Sequence, residues 1–130
     1  MLLFPLLLSA QIPDGKIPHF IGDYFMLNRV GPELVCIDIF EHPQSGRTLK
    51  IKVIGRRSLS ERDLAFAFAA AASVANLAEY DFELLWVEMV VQYKGPETIM
   101  ALAPAKCTIE AIVLQNCEAG NWWNDCLEFL

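Results

Sequence analysis

The segment 58–79 limits the possible folds of this chain more than any other part of the sequence. Ser58 followed by Glu61 predicts a capping box, so a long helix is expected to begin here. Its apolar residues form two adjoining faces rather than one stripe: Leu64, Phe68, Ala71 and Ala75, then Phe66, Ala70, Val74 and Leu77. Such a helix must be covered on more than one side, and we expect a second copy of the chain to cover it in a homodimer.

Composition supports one folded domain and excludes several classes of protein. The chain has 130 residues, of which 55% are hydrophobic and 20% charged, a balance that excludes intrinsic disorder. Ten Lys and Arg against sixteen Asp and Glu give a net charge of −6, which disfavours nucleic-acid binding because the phosphate backbone repels an acidic surface.

Strand signals precede the helix. Segments 34–41 and 47–54 flank a five-residue connection that ends in Gly46, which predicts a hairpin. In the second segment, apolar residues alternate with Lys50 and Lys52, so one face meets the core and the other meets water. Segment 24–30 is expected to be a further strand, closed by the turn residues Gly31 and Pro32.

Two more strands and two helices are expected after the long helix. Segments 83–94 and 98–103 predict strands, while 106–118 and 122–130 predict helices. The expected order is β-β-β-α-β-β-α, an α+β domain over residues 21–130. It would have an antiparallel sheet of about five strands, with the helices packed on one face. Residues 1–20 are expected to form an apolar N-terminal arm.

Residues 24–130 resemble the YbjN and type III secretion chaperone fold group in three features: the element order, the acidity and the apolar central helix. Those proteins open with an amphipathic helix, whereas this chain has Pro5, Pro13, Gly15 and Pro18 near its start. The resemblance implies homodimerisation and protein binding without catalysis. It assigns no role to any particular residue.

The first ten residues, MLLFPLLLSA, allow two interpretations. They form either an arm packed on the domain or a secretory signal cleaved after Ala10, although no basic residue precedes the apolar run. A membrane span is not expected, since about 20 apolar residues are needed and charged residues follow at Asp14 and Lys16.

Four cysteines stand at Cys36, Cys107, Cys117 and Cys126, none of them in a CxxC pair. Because the histidines have no cysteine nearby, no metal site is expected. Free thiols that behave as small apolar side chains are the favoured interpretation, and a cytoplasmic location follows from it. The alternative is an exported protein with disulfides.

The carboxyl end is the candidate partner-binding region. Trp122 and Trp123 are adjacent, so on a helix they point in different directions and cannot both fill one groove. One of them is available to a protein partner, together with Phe129, because tryptophan dominates many binding surfaces. The alternative is a helix that docks on its own sheet.

A candidate anion site lies at the start of the long helix. Arg56, Arg57, Ser58 and Ser60 place positive charge and hydroxyl groups where free backbone N–H groups favour an anion. The alternative is an ordinary helix cap beside solvated arginines.

Catalysis is not expected, and neither is a cofactor. No recognised nucleophile, phosphate-loop or metalloprotease motif occurs, although Asp38 or Glu88 could act in proton transfer if it lay in apolar surroundings. A further alternative is a small-ligand or lipid pocket between helix and sheet, lined by Phe66, Phe68, Trp86 and Met89. The sequence thus favours a protein-binding homodimer.

Overall fold

A computed structural model describes residues 11–92, 95–116 and 121–130, and these residues have the α+β fold that the sequence predicts. The first half contains α1 (Ile17–Leu27), β1 (Glu33–His42), β2 (Gly46–Gly55) and α2 (Ser60–Ala75). The second half contains β3 (Leu84–Gln92), β4 (Pro96–Pro104), α3 (Ala105–Thr108) with a π-helical turn (Ile109–Val113), α4 (Trp122–Asp125) and β5 (Glu128–Phe129).

The five strands form one sheet in the order β1-β2-β3-β4-β5. The pairs β1–β2, β3–β4 and β4–β5 are antiparallel, but β2 and β3 are parallel. The predicted antiparallel sheet of about five strands is therefore confirmed except at this one pair, which is parallel. The physical reason is α2, which crosses over the sheet between β2 and β3 and returns the chain in the same direction.

The predicted hairpin is confirmed and joins β1 to β2. Its register pairs Ile39 with Leu49 and Asp38 with Lys50. The connection ends at Gly46, where φ is +85°, a backbone conformation that side chains with a Cβ adopt rarely. Glycine at this position therefore allows the chain to enter β2 in register.

The helices cover one face of the sheet, as expected. On β2, Leu49, Ile51 and Val53 are fully buried against them, whereas Lys50 and Lys52 on the opposite face are only partly buried. The buried residues of β3 alternate in the same way. The core therefore lies between the helices and one face of the sheet, and the described residues place no helix over the other face.

The central helix α2 is enclosed by its own chain. It packs on β2 and β3, while α1 and the π-helical turn contact its other sides. Phe66 contacts the Phe25 ring of α1 at 5.1 Å between centroids, and Phe68 is fully buried. The expectation that a second chain must cover this helix is therefore wrong. The homodimer was predicted because this helix needed a cover, and that reason no longer applies.

Segment 24–30, expected to be a strand, lies mostly in helix α1. Tyr24 and Phe25 favour strands locally, but Ile17 and Ile21 stand one helical turn apart and are fully buried. Pro18 stands in the first turn of α1, where proline is compatible with a helix. Burial on one side of a helix therefore outweighs the local strand preference of the aromatic residues.

The predicted N-terminal arm falls partly outside the described residues, which begin at residue 11. Its later part belongs to the folded domain. Ile12 is buried and pairs with Ala78, and its backbone N–H donates to the Leu77 carbonyl at 2.7 Å.

The two helices expected near the carboxyl end are shorter than predicted. The first spans α3 and its π-helical turn, and residues 117–120 lie outside the described part of the chain. The second ends after one turn at Asp125, because Glu128 and Phe129 pair with the edge of β4 as β5. The backbone N–H of Leu130 also donates to the Met100 carbonyl at 3.0 Å.

Two of the cysteines expected to be free form a disulfide, Cys107–Cys126, which corrects that prediction. The pairing of β5 with β4 returns the end of the chain towards α3, so the two Cα atoms lie 6.1 Å apart. Cys36 is free and exposed, and Cys117 lies outside the described residues. The cytoplasmic location was predicted from free thiols, and the disulfide removes that reason. The location stays a prediction. Among the described residues, no helix is long and apolar enough to span a membrane.

An ion pair between Asp14 and Arg47 ties the segment before α1 to the start of β2. Arg47 donates from Nη1 to Oδ2 of Asp14 at 2.8 Å, and its guanidinium lies 4.2 Å from the centroid of the Phe82 ring. The hydrogen bond from Arg47 holds the pKa of Asp14 below its ordinary value. A carboxyl group whose pKa is lower in the folded than in the unfolded protein contributes its full stabilisation at pH values above the unfolded-state pKa. This contribution is lost as the pH falls through the folded-state pKa.

We therefore expect Asp14→Asn to lower the free energy of unfolding at neutral pH by less than about 1 kcal/mol, since the carboxylate is partly exposed. Urea unfolding of both proteins at a series of pH values measures the difference. It should shrink as the pH falls below the ordinary pKa of an aspartate. A difference that stays constant down to the acid limit would contradict this account.

Candidate functional site

The face of the sheet opposite the helices carries charged and aromatic side chains of three neighbouring strands. The register places Lys50 between Asp38 and Trp86, and Lys52 between Cys36 and Glu88. Because side chains alternate along a strand, these residues all share one face.

Glu88 is the centre of an ion network on this face. Nζ of Lys50 lies 3.1 Å from Oε1 of Glu88, and Nζ of Lys52 lies 3.6 Å from Oε2. Lys50 also lies over the Trp86 ring, 4.9 Å from its centroid, and the Trp86 indole N–H donates to Sδ of Met100 at 3.2 Å. Both oxygens of Glu88 thus have cationic partners, which gives this carboxylate a structural role between β2 and β3.

Glu88→Gln should lower the free energy of unfolding by about 1 kcal/mol, because two lysines on one face of β2 lose their shared carboxylate. Urea unfolding at low and high salt measures the effect, which salt should reduce by screening the lysines from each other. Glu97→Gln, at an exposed position of β4, is the matched control and should change little. Equal effects of the two substitutions would contradict the network.

Asp38 and Glu88, predicted separately as candidate carboxylates, lie in one shallow cleft. The cleft has a volume of about 120 Å³ and is also lined by Cys36, Lys50 and Lys52. Sequence reasoning missed this arrangement because it depends on the parallel pairing of β2 with β3. Asp38 is exposed and Glu88 is paired with two lysines, so neither lies in the apolar surroundings that proton transfer was expected to need.

The four residues expected to line a ligand pocket lie in different places. Phe68 and Met89 are fully buried on the helix side of the sheet, and Trp86 lies on the opposite face. Phe66 packs against α1. These residues therefore do not line one cavity, and the hypothesis of a small-ligand pocket at this place loses its basis.

Trp122 belongs to the core of its own chain. Its side chain is 9% exposed, its ring lies 5.2 Å from that of Phe68, and its indole N–H donates to Oγ1 of the buried Thr108 at 3.0 Å. Trp122, the first of the residues predicted to bind a partner, therefore docks the carboxyl end of the chain on α2 and α3.

Trp123, the next residue of α4, is only partly buried, and its ring contacts that of Trp122 at 6.1 Å between centroids. Its ring is 5.9 Å from that of Phe129, which is 50% exposed, and Leu130 is 69% exposed. We call Trp123, Phe129 and Leu130 the C-terminal aromatic surface. Trp123 and Phe129 also line a groove of about 160 Å³, together with Ser60, Glu61, Leu64, Met89 and Ile99.

The start of α2 differs from the predicted capping box. A 3₁₀ turn (Arg57–Leu59) precedes the helix, and no side chain caps it. Instead Asp63, in the first turn, accepts from the backbone N–H of Arg56 at 2.7 Å and from Nε of the same residue at 3.1 Å. Asp63 is buried, so its carboxylate is committed to Arg56.

The residues of the predicted anion site therefore differ in their surroundings. Arg56 is paired with Asp63, Arg57 and Ser58 lie in the 3₁₀ turn, and Ser60 begins α2 beside the groove. An anion would have to compete with Asp63 for the Arg56 guanidinium. The anion site stays a prediction that the geometry does not favour.

A larger cleft, of about 340 Å³, lies at the carboxyl end of α2, and sequence analysis singled out none of its residues for function. The apolar part of its wall is formed by Ala75, Phe82, Ile109 and Leu114, and charged groups line the rest: Asp81, Glu83, Lys106 and Glu110. In the part of the chain that the structure describes, no group of three or more potential ligands could hold a metal ion.

Comparison of the chain with family models, with curated proteins and with solved structures finds no match.

Proposed function

We propose that this chain is a non-enzymatic protein-binding domain with a chaperone-like or adaptor role, and that the C-terminal aromatic surface is its docking site. One observation carries the proposal. Phe129 is half exposed and its ring contacts the partly buried Trp123, whereas the neighbouring Trp122 is buried in the core. Clustered aromatic residues of this kind supply much of the energy at protein interfaces. The resemblance drawn from the predicted element order implies the same class of function, although the first strand of that order is helix α1 in the structure.

The groove beside the surface gives the docking site its shape. Leu64, Met89 and Ile99 make its floor apolar, and Ser60 and Glu61 place polar groups at its edge. An apolar centre with a polar rim is the usual anatomy of a protein interface. A partner that inserts an apolar side chain here would cover Trp123 and Phe129 at the same time.

The partner that we propose is a different protein rather than a second copy. The homodimer was expected because α2 would otherwise be exposed, and α2 is enclosed within one chain. Trp122 completes the core of its own chain by packing on Phe68, so the C-terminal aromatic surface requires no second copy to complete the core.

Photo-crosslinking from single positions tests the proposal. A photoreactive phenylalanine analogue replaces Trp123 in one protein and the exposed Gln44, in the hairpin turn, in the control. Irradiation in the source cells should give a covalent adduct with another protein from position 123 and none from position 44. The mass of the adduct distinguishes a second copy from a different protein. No adduct from position 123 in a folded, well-expressed protein would overturn the proposal.

A further inference from the structure

β1 forms one edge of the sheet along its ten residues, Glu33–His42. One side of the strand pairs with β2, and within the described residues no backbone hydrogen bond joins its other side to any further segment. An edge strand points alternate N–H and C=O groups away from the sheet. β1 therefore presents a row of unpaired backbone donors and acceptors.

Two of the usual devices that block an edge strand, lysine and proline, are missing from β1, although it carries acidic side chains. The single irregularity of the strand is a register shift between Leu34 and Cys36. From Cys36 to His42 its pairing with β2 is regular. An added strand could pair along this regular part.

Exposed apolar side chains are found in the segment that leads into β1 and on β1 itself. Leu27 at the end of α1 is 81% exposed, Val30 in the following loop 64%, and Val35 on β1 itself 46%. Phe20 and Met26 on α1 and Ile54 at the adjoining end of β2 are also exposed. A segment laid along β1 would cover Val35 and remove part of its apolar area from water.

The charge of β1 indicates which occupant fits. Glu33, Asp38 and Glu41 are its acidic residues, and it has no lysine or arginine. None of the ion pairs found among the described residues includes these three, because the cations opposite Glu41 and Asp38 on β2 pair with Asp14 and Glu88 instead. A second copy paired through β1 would bring two such acidic strands together. Like charges opposite each other destabilise strand pairing, whereas a basic strand would be attracted.

We propose that β1 binds an extended segment of a partner protein that carries lysine or arginine, and that this segment adds a sixth strand to the sheet. Backbone hydrogen bonds supply the pairing, and the basic side chains select the partner. This site goes beyond the docking site proposed above, since β1 and β5 stand at opposite edges of the sheet.

Four synthetic peptides of about eight residues, the length of an ordinary strand, test the proposal. The first alternates valine and lysine, and the second has glutamate for lysine. The third is the lysine peptide with the backbone nitrogens of its valines methylated. The fourth is the same peptide with the backbone nitrogens of its lysines methylated instead. Binding is followed by NMR titration and by hydrogen exchange of the β1 amides.

The lysine peptide should bind and slow the exchange of the β1 amides, and the glutamate peptide should bind at least about tenfold more weakly. Only one of the two methylated peptides should bind, because an added strand uses one of its edges. Equal binding of both methylated peptides, or of the lysine and glutamate peptides, would overturn the proposal.

Charge reversal on the protein provides a matched control. Glu33→Lys with Glu41→Lys should weaken binding of the lysine peptide by at least about tenfold, whereas Glu97→Lys with Glu128→Lys changes the net charge equally at the opposite edge and should not. Equal loss in both variants would show attraction to net charge alone and overturn the proposal. So would a dimer that pairs through β1 without peptide. Neither result bears on crosslinking from position 123.

Discussion

Trp122→Ala is expected to lower the free energy of unfolding by about 3–5 kcal/mol, the range for removal of a large buried aromatic side chain. The substitution removes the ring packed on Phe68 and leaves the hydroxyl of Thr108, which is fully buried, without its indole donor. Urea unfolding followed by circular dichroism measures the loss.

Trp123→Ala is the matched control for this prediction. Trp123 is only partly buried, and its ring contacts Trp122 and the exposed Phe129. We expect its removal to cost less than about 1.5 kcal/mol and to leave the fold intact, because little core volume is lost. Equal destabilisation by the two substitutions would place both tryptophans in the core and remove the basis of the proposed docking site.

Reduction of the Cys107–Cys126 disulfide is expected to lower the free energy of unfolding by about 3 kcal/mol, the value for a loop of similar length. The two cysteines stand 19 positions apart in the sequence, so the bond restricts the unfolded chain. In the folded protein it holds the segment that bears Trp122 against α3. Urea unfolding with and without a reducing agent measures the effect.

The double variant Cys107→Ala, Cys126→Ala should be as unstable as the reduced wild type and insensitive to the reducing agent. Cys36→Ala is the control, because Cys36 is free and exposed, and its stability should still fall on reduction. If titration of the native protein finds the thiols of both Cys107 and Cys126 free, the disulfide is absent and the prediction fails.

Local signals allowed part of the fold to be predicted. The hairpin of β1 and β2 depends on neighbouring residues, namely alternation along each strand and a glycine at Gly46. Helix α1 could not be predicted from Tyr24 and Phe25, because its stability comes from packing of Ile17 and Ile21 in the core. The parallel pairing of β2 and β3 likewise depends on where α2 returns the chain.

The candidate site, like the fold, could be predicted from the sequence only in part. The sequence predicts that Trp122 and Trp123 face different surroundings, since adjacent helical residues diverge. Which of them is buried depends on Phe68 and Thr108, residues distant in sequence that the fold brings together. The disulfide could not be predicted either, because Cys107 and Cys126 approach each other only when the chain end pairs with β4.

The central claim is that the C-terminal aromatic surface binds another protein. Native mass spectrometry of the wild type and of Trp123→Ala, each purified from the source cells, tests it most directly. The wild type should carry one further, different chain, and the folded variant should carry much less of it. A bare protein of 14.6 kDa in both samples, or equal amounts of the partner on both, would contradict the account.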